Sequence, residues 1–307
     1  MTAPPGPAGS FDAVEEAAQL LGATATRGTP LGPLTTYRVG GPAALFVELA
    51  DEACLEVVAR AVSTSGVAVL VVGKGSNLLV SEAGFAGLAV RLGGGFNEIS
   101  TEGDLAEAGG AVSYPVLARR SAAASLTGME WAVGIPGSVG GAVRMNAGGH
   151  GAETKDRLAS ARVLDLAGGD ERRLSADELS FSYRHSSVGA SQVVLSAAFR
   201  LRKGDREACS EQIAEIVRWR RENQPGGQNA GSVFTNPPGD SAGRIIEAAD
   251  LKGHRIGSAM VSEKHANFIQ ADPAGSADDV ARVIDYVRAK VLERVGVELA
   301  VEVRMIR

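Results

Sequence analysis

Gly134-Ile135-Pro136-Gly137-Ser138-Val139-Gly140-Gly141-Ala142-Val143-Arg144-Met145-Asn146-Ala147-Gly148-Gly149 is the stretch on which the chain turns. Seven of these sixteen residues are Gly or Pro, too many to expect a helix or an ordinary strand. Glycine reaches positive φ and lacks a Cβ, so its backbone can come within hydrogen-bonding distance of a large ligand. Pro136 sets the direction of approach, and Arg144 and Asn146 add a charge and an amide on a short strand expected over 142–146. A long surface loop would explain one such stretch. A second, Gly73-Lys74-Gly75-Ser76-Asn77, follows directly on an apolar strand and weakens that explanation.

Working outward, 11–21 reads as an amphipathic helix and 45–49 as a strand. Asp51 is placed to cap a helix with Cys54, Leu55, Val58, Ala61 and Val62 on one face, and Gly66 ends it. The continuous apolar run 67–72 suits a strand buried on both faces. Residues 45–72 therefore read as one βαβ unit, with the Gly73 loop at the end where α/β sheets bind ligands. A strand is expected over 88–92, a helix capped by Ser113 running to about 126, a hairpin of 161–166 with 171–174, and a strand over 192–201. A helix over 206–221 ends in Arg218, Arg220 and Arg221, and another spans 241–249. Ser276 caps the last helix, whose Val280, Val283, Ile284, Val287, Val291 and Leu292 form the expected core stripe and which Gly296 ends. In the final strand Val297, Leu299, Val301, Val303 and Met305 share one face, and Glu298, Glu302 and Arg304 the other.

With 307 residues, 45% of them hydrophobic, the chain can bury one large core or those of two to three domains. A net charge of −5 and only 5% aromatics disfavour nucleic-acid binding. Cys54 and Cys209 sit in helical segments without CxxC spacing, which suggests neither a disulfide framework nor zinc and fits a reducing cytoplasm. The first ten residues have no basic region or apolar core and read as a loose tail, not a signal peptide. No apolar run approaches the roughly 18–20 residues of a membrane span. His150, His185, His254 and His265 lack metal-ligand spacing.

Several familiar loops fail on their residues. Gly73-Lys74-Gly75 is not a Walker A motif, because Ser or Thr must follow the lysine. It is not a dinucleotide fingerprint either: the third glycine position is Leu78, and Leu78-Leu79-Val80 continues as strand. What remains is a phosphate nest of backbone N–H groups with the Ser76 hydroxyl and Asn77 amide. Two such loops suit a ligand with two phosphates or a large polar cofactor. Pro136-Gly137-Ser138-Val139-Gly140 lacks the first glycine of a hydrolase elbow. The three arginines at 218, 220 and 221 fit a helix C-terminus and an anion site equally well. By spacing alone Ser232 is a turn residue, Glu302 a solvated strand position and Arg184 a packing or surface arginine.

Seven motifs then recur in one order: Thr36-Tyr37-Arg38-Val39-Gly40-Gly41, Gly73-Lys74-Gly75-Ser76-Asn77-Leu78-Leu79-Val80, Gly134-Ile135-Pro136-Gly137-Ser138-Val139-Gly140-Gly141, Asn146-Ala147-Gly148, Tyr183-Arg184-His185-Ser186, Gly231-Ser232-Val233-Phe234 and Val301-Glu302-Val303-Arg304. Together they resemble the UDP-N-acetylenolpyruvoylglucosamine reductase (MurB) family from about Thr35 to Arg304. The short gap between Arg184 and the strand over 192–201 is similar to the type II members, which lack an extra loop bearing a substrate-gating tyrosine. The lysine some members carry before the Gly-Ser motif is missing from 222–227.

The resemblance implies an α+β protein. A two-subdomain FAD-binding fold of the vanillyl-alcohol-oxidase/PCMH type would occupy 1–95 and 96–202. A C-terminal α+β substrate-binding domain would occupy 203–307, its last strand returning to the active site. It implies a cytoplasmic monomer that holds FAD non-covalently and takes hydride from NADPH. The product would be a lactyl ether, made from UDP-N-acetylglucosamine enolpyruvate in a site shared with NADPH, without nucleic acid or membrane insertion. FAD contacts would fall to Tyr37, Arg38, Gly73, Lys74, Gly75, Ser76, Asn77 and Leu78. A second set would be Gly134, Ile135, Pro136, Gly137, Ser138, Gly141, Ala142, Asn146, Ala147 and Gly148. The substrate would meet Tyr183, Arg184 and Asn236, with its diphosphate on Arg218, Arg220 or Arg221. Ser232 would be the proton donor, and Arg184 and Glu302 would polarise the enolate. Glu302 could do so only if protonated or bridged to a cation, and protonation through burial would require it to be largely shielded. Oxygen reactivity without NADPH would instead indicate a flavin oxidase, and a colourless protein a nucleotide-sugar binder.

Overall fold

The structure is a computed structural model that describes residues 10–307; the loose tail expected at the N-terminus lies mostly outside the described residues. Contacts divide the chain into two compact units. The first takes residues through 28, 44–74 and 86–219, the second 29–43, 75–85 and 220–307. Helices are α1 (Phe11–Leu21), α2 (Ala53–Ser65), α3 (Tyr114–Ala123), α4 (Val139–Arg144), α5 (Arg206–Asn223), α6 (Ala242–Ala248) and α7 (Ala277–Val295).

In the first unit a four-stranded sheet has the order Thr26–Pro30, Pro42–Leu49, Phe85–Leu92, Val69–Val71. The two strands flanking α2 share this sheet as expected, but Phe85–Leu92 is inserted between them, parallel to Val69–Val71. Asp51 does cap α2, its Oδ1 accepting from the N–H of Ala53 (3.0 Å) and Cys54 (3.3 Å). Gly66 ends the helix at φ 66°. Val14, Ala17 and Leu21 of α1 and Leu55, Val58 and Val62 of α2 bury their stripes against Leu45, Val47 and Leu49.

The unit's second sheet is antiparallel, in the order Glu171–Ser175, Leu158–Asp165, Gln192–Arg200, Leu105–Gly109, Ile99–Glu102. The expected hairpin is its first pair. Val193 and Leu195 of the middle strand join the core beneath α1 and α2, while Val194, Ala197 and Phe199 join a separate core with Tyr114, Leu117 and Trp131. Serving two cores explains why that strand is almost wholly buried.

The strand expected over 142–146 is not formed. Residues 139–144 are α4, preceded by a 3-10 turn over Glu130–Gly134. Ser138 is extended and caps α4, its Oγ accepting from the Gly141 N–H at 3.2 Å. A Cβ on Gly140 would stand 3.2 Å from the carbonyl oxygens of Gly110 and Val194. Close packing against neighbouring backbone, not resistance to helix, accounts for that glycine.

In the second unit α7 packs on a three-stranded sheet of Arg255–Ile256, Ala259–Val261 and Ile269–Ala271. Val280, Val283, Ile284, Val287 and Val291 are buried as expected, but Leu292 is 53% exposed. It sits one position past Val291, about 100° around the helix, in the last turn. Ser276 Oγ caps α7 from the Asp278 N–H (3.1 Å), and Gly296 ends it at φ 74°. The final strand is shorter than its alternation suggests: a bridge at Val301 and a strand Arg304–Ile306, which runs parallel to Leu78–Val80. Among the described residues no helix is long and apolar enough to cross a membrane.

Candidate functional site

In the first unit the two glycine-rich stretches meet. A Cβ on Gly73 would stand 2.6 Å from Ser138 Oγ. The 134–149 stretch is pinned by backbone bonds: Tyr114 N–H to Gly137 C=O (3.0 Å), Val139 N–H to Val112 C=O (2.8 Å) and Gly140 N–H to Gly110 C=O (3.0 Å). Gly73, Lys74, Arg91, Ser138, Gly141 and Arg144 line a cleft in this unit. Three cations face it, and among the described residues no carboxylate does. Arg91 had no signal in the sequence; it is one charge in an otherwise apolar strand.

The remaining candidates of this stretch build its walls. Gly134 is buried with His150 beside it, Ala142 is buried in α4, and Ile135 and Ala147 pack on the core. Pro136 is exposed. Asn146 is fully buried at φ 41°, a conformation asparagine tolerates. Its Nδ2 donates to Glu153 Oε2 (3.0 Å) and to the Ser182 carbonyl (3.0 Å), and its Oδ1 accepts from the Lys155 N–H (3.1 Å). Its amide is therefore committed to holding the loop. Arg184 donates from Nη2 to the Gly148 carbonyl (3.0 Å), lies 3.8 Å from Glu153 Oε1 and stacks over the Tyr183 ring at 4.8 Å. Glu153 thus orients both Asn146 and Arg184. It was missed because it sits in an ordinary polar turn.

In the second unit Tyr37 is fully buried, and burial pushes its phenol up, offset in part by the Ala230 backbone. Arg38 is exposed at φ 55°. Gly75 lies so close to Leu34 that a Cβ would be 2.2 Å from its carbonyl oxygen. Ser76 and Asn77 are half-buried, and Leu78 begins the strand Leu78–Val80. Asn77 Nδ2 donates to the Glu302 carbonyl (3.2 Å), and the Asn77 carbonyl accepts from the Arg304 N–H (3.0 Å).

The fold also brings Ser232 to the chain of Glu302. The Glu302 N–H donates to the Val233 carbonyl at 2.8 Å, and Phe234 bridges Val301. Both candidates are half-buried. Asn236 Oδ1 accepts from the Ala242 N–H (3.0 Å) at the start of α6. Of the three arginines, Arg218 and Arg221 are exposed. Arg220 is half-buried, its Nε donates to Gln224 Oε1 (2.7 Å), and burial holds its guanidinium below the usual range. Lys264 reaches the same helix end, donating from Nζ to the Arg221 carbonyl at 2.6 Å. It lies 43 residues away in sequence, beyond the reach of any local pattern.

Residues 43–175 match the family described as FAD binding domain, and residues 223–306 that described as UDP-N-acetylenolpyruvoylglucosamine reductase, C-terminal domain. The chain is 45% identical over 280 residues to the UDP-N-acetylenolpyruvoylglucosamine reductase of Heliobacterium modesticaldum, covering 90% of this chain and 89% of that one. It is 43% identical over 281 residues to UDP-N-acetylenolpyruvoylglucosamine reductase 2 of Symbiobacterium thermophilum, covering 91% of each. The crystal structure of UDP-N-acetylenolpyruvylglucosamine reductase (MurB) from Thermus caldophilus superposes with a TM-score of 0.80 at 34% identity, over 91% of this chain and 98% of that one. The first unit's cleft fits FAD: glycine backbone and three cations, without a facing carboxylate, suit a dinucleotide's diphosphate. By those identities over nearly its whole length, this chain, an oxidoreductase with an FAD-binding domain, belongs to the UDP-N-acetylenolpyruvoylglucosamine reductase family.

Proposed function

We propose that the chain reduces UDP-N-acetylglucosamine enolpyruvate to UDP-N-acetylmuramate, with NADPH as hydride source, in peptidoglycan precursor synthesis. The observation that carries this reading is the main-chain pairing of Val233 and Phe234, next to Ser232, with Glu302 and Val301. Regions 1–95 and 96–202 are read as the two FAD-holding subdomains and 203–307 as the substrate domain. A core drawn mainly from residues through 96, to which Leu164, Leu166, Val193 and Leu195 also contribute, and a separate core from 106 on favour the former, and the family match over 223–306 supports the latter.

FAD held in the cleft of the first unit would supply hydride transfer from NADPH to the enolpyruvyl β-carbon. Lys74 and Arg144, which line that cleft, with backbone N–H groups of the glycine stretches that make no bond within the protein, would hold its diphosphate. The protein's own chemistry is the rest. Charge develops on the α-carbon and its carboxylate, and preorganised donors must stabilise it. The Arg184 guanidinium, oriented by the Gly148 carbonyl and Glu153, is read as the cation that meets that carboxylate. Glu302 assists by carrying a proton or bridging to a cation, because a bare carboxylate would oppose the enolate. Ser232 Oγ then gives its proton to the α-carbon and recovers one from solvent. Serine is a weak acid, so the step needs a strongly basic carbanion and a closely held hydroxyl. Arg220 is the favoured diphosphate ligand of the substrate, being oriented by Gln224 and partly desolvated.

Stopped-flow spectroscopy tests the assignment. Ser232→Ala should be reduced by NADPH at the normal rate and reoxidised slowly by the enolpyruvyl sugar. Equal loss in both half-reactions would remove the proton-donor role.

A further inference from the structure

We propose that Asn267 is the positioning residue for Ser232. The inference rests on the proton-donor reading above and extends it to a residue that touches neither substrate nor cofactor. Asn267 is 97% buried, in the turn between the strands Ala259–Val261 and Ile269–Ala271. Its Oδ1 accepts from the Phe234 N–H at 2.9 Å, and its Nδ2 donates to the Phe234 carbonyl at 2.8 Å. Its own backbone carbonyl accepts from the Val233 N–H at 2.9 Å. One residue thus stands in for an antiparallel strand, pairing both main-chain groups of Phe234 and one of Val233.

The opposite side of the same two residues is held by the Glu302 N–H and the Val301 bridge. Upstream, Gly231 turns at φ 74° with its N–H on Asn229 Oδ1 (3.0 Å). Ser232 is therefore the one residue between a fixed turn and a two-sided clamp. Burying an amide costs free energy unless its bonds are made, and here both ends are used on the segment that follows the serine. A shift of about 1 Å in a reacting group can cost on the order of a hundredfold in rate. A weak acid has little tolerance for such a shift, because it must reach hydrogen-bonding distance of the carbon it protonates.

The test uses the flavin-loaded enzyme. Asn267→Asp keeps the shape and the acceptor for the Phe234 N–H but loses the donor to the Phe234 carbonyl. Its half-reaction with the enolpyruvyl sugar should slow by roughly tenfold or more, with a larger solvent deuterium isotope effect, while reduction by NADPH stays within about twofold. In a Ser232→Ala background Asn267→Asp should add no further loss, since a positioning residue has nothing left to position. Should Asn267→Asp lose its flavin, Asn267→Ser is put through the same cycle. Additive losses, or equal slowing of both half-reactions, would overturn the inference while leaving the serine's role intact. A Ser232→Ala enzyme that turns over the enolpyruvyl sugar normally would remove the parent reading and this one with it.

Discussion

Replacing Gly73 with alanine places a methyl carbon 2.6 Å from Ser138 Oγ, with Ser138 Cβ the next atom at 3.7 Å. The hydroxyl sits at the end of a single torsion, so it turns away before any backbone moves. It then leaves the Gly141 N–H, from which it accepts at 3.2 Å as the cap of α4. Losing a serine N-cap costs about 1 kcal/mol, which is roughly a fivefold change in a local opening equilibrium. Ser138→Ala alone should cost the same. With alanine at 138 the clash is gone, because a Cβ at 3.7 Å is ordinary contact. Gly73→Ala should then be nearly free in that background, and the double variant should fall short of additivity by about 1 kcal/mol. Amide exchange over 138–145, followed by mass spectrometry on the flavin-free protein, reads the opening. Fluorescence titration with FAD reads the consequence for the cleft both residues line. Unchanged exchange in Gly73→Ala, or full additivity with Ser138→Ala, would refute the displacement.

Three further outcomes follow from the same geometry. Thr154 Oγ1 donates to the Ala147 carbonyl (2.9 Å), so the buried Tyr114 hydroxyl donates to Thr154 (3.1 Å). Tyr114→Phe should cost about 1 kcal/mol and lower the melting temperature by roughly 2–4 °C; an unaltered melting curve would count against that bond. Glu302→Ala should slow reoxidation by the enolpyruvyl sugar with flavin reduction preserved, and turnover within a few-fold of the parent would return Glu302 to the role of a strand-surface residue. Burial holds the His265 imidazole below its ordinary pKa, only partly offset by its own backbone. The unfolded chain therefore binds the proton more readily. This contribution to stability is complete above about pH 6.5 and is lost as pH falls through the folded value. Denaturation midpoints between pH 7.5 and 5.5 should fall less steeply in His265→Gln, and an identical slope would show that another group sets the dependence.

What the sequence determined by itself was local. Asp51 and Gly66 delimit α2, Ser276 and Gly296 delimit α7, and the 158–175 hairpin follows from its Gly168-Gly169 turn, because caps, turns and periodicity act within a few residues. The ordered motifs pointed to the family for a similar reason: each is a short contiguous string. Tertiary structure decided the rest. Phe85–Leu92 enters between the strands of the expected βαβ unit, a choice made by sheet pairing and not by either strand's own residues. Residues 139–144 form a helix that Ser138 caps, and its Gly140 packs so tightly on the backbones of Gly110 and Val194 that a Cβ there would press on both. Leu292 faces solvent because α7's stripe has already turned away by its last turn. The supports of the site are the least legible part. Lys264 meets Arg221 across 43 residues, and Asn267 meets Phe234 across 33. No pattern in either neighbourhood announces a partner. Main-chain donors and acceptors outside regular ladders must be paired somewhere, and only the folded chain determines which distant side chain does it.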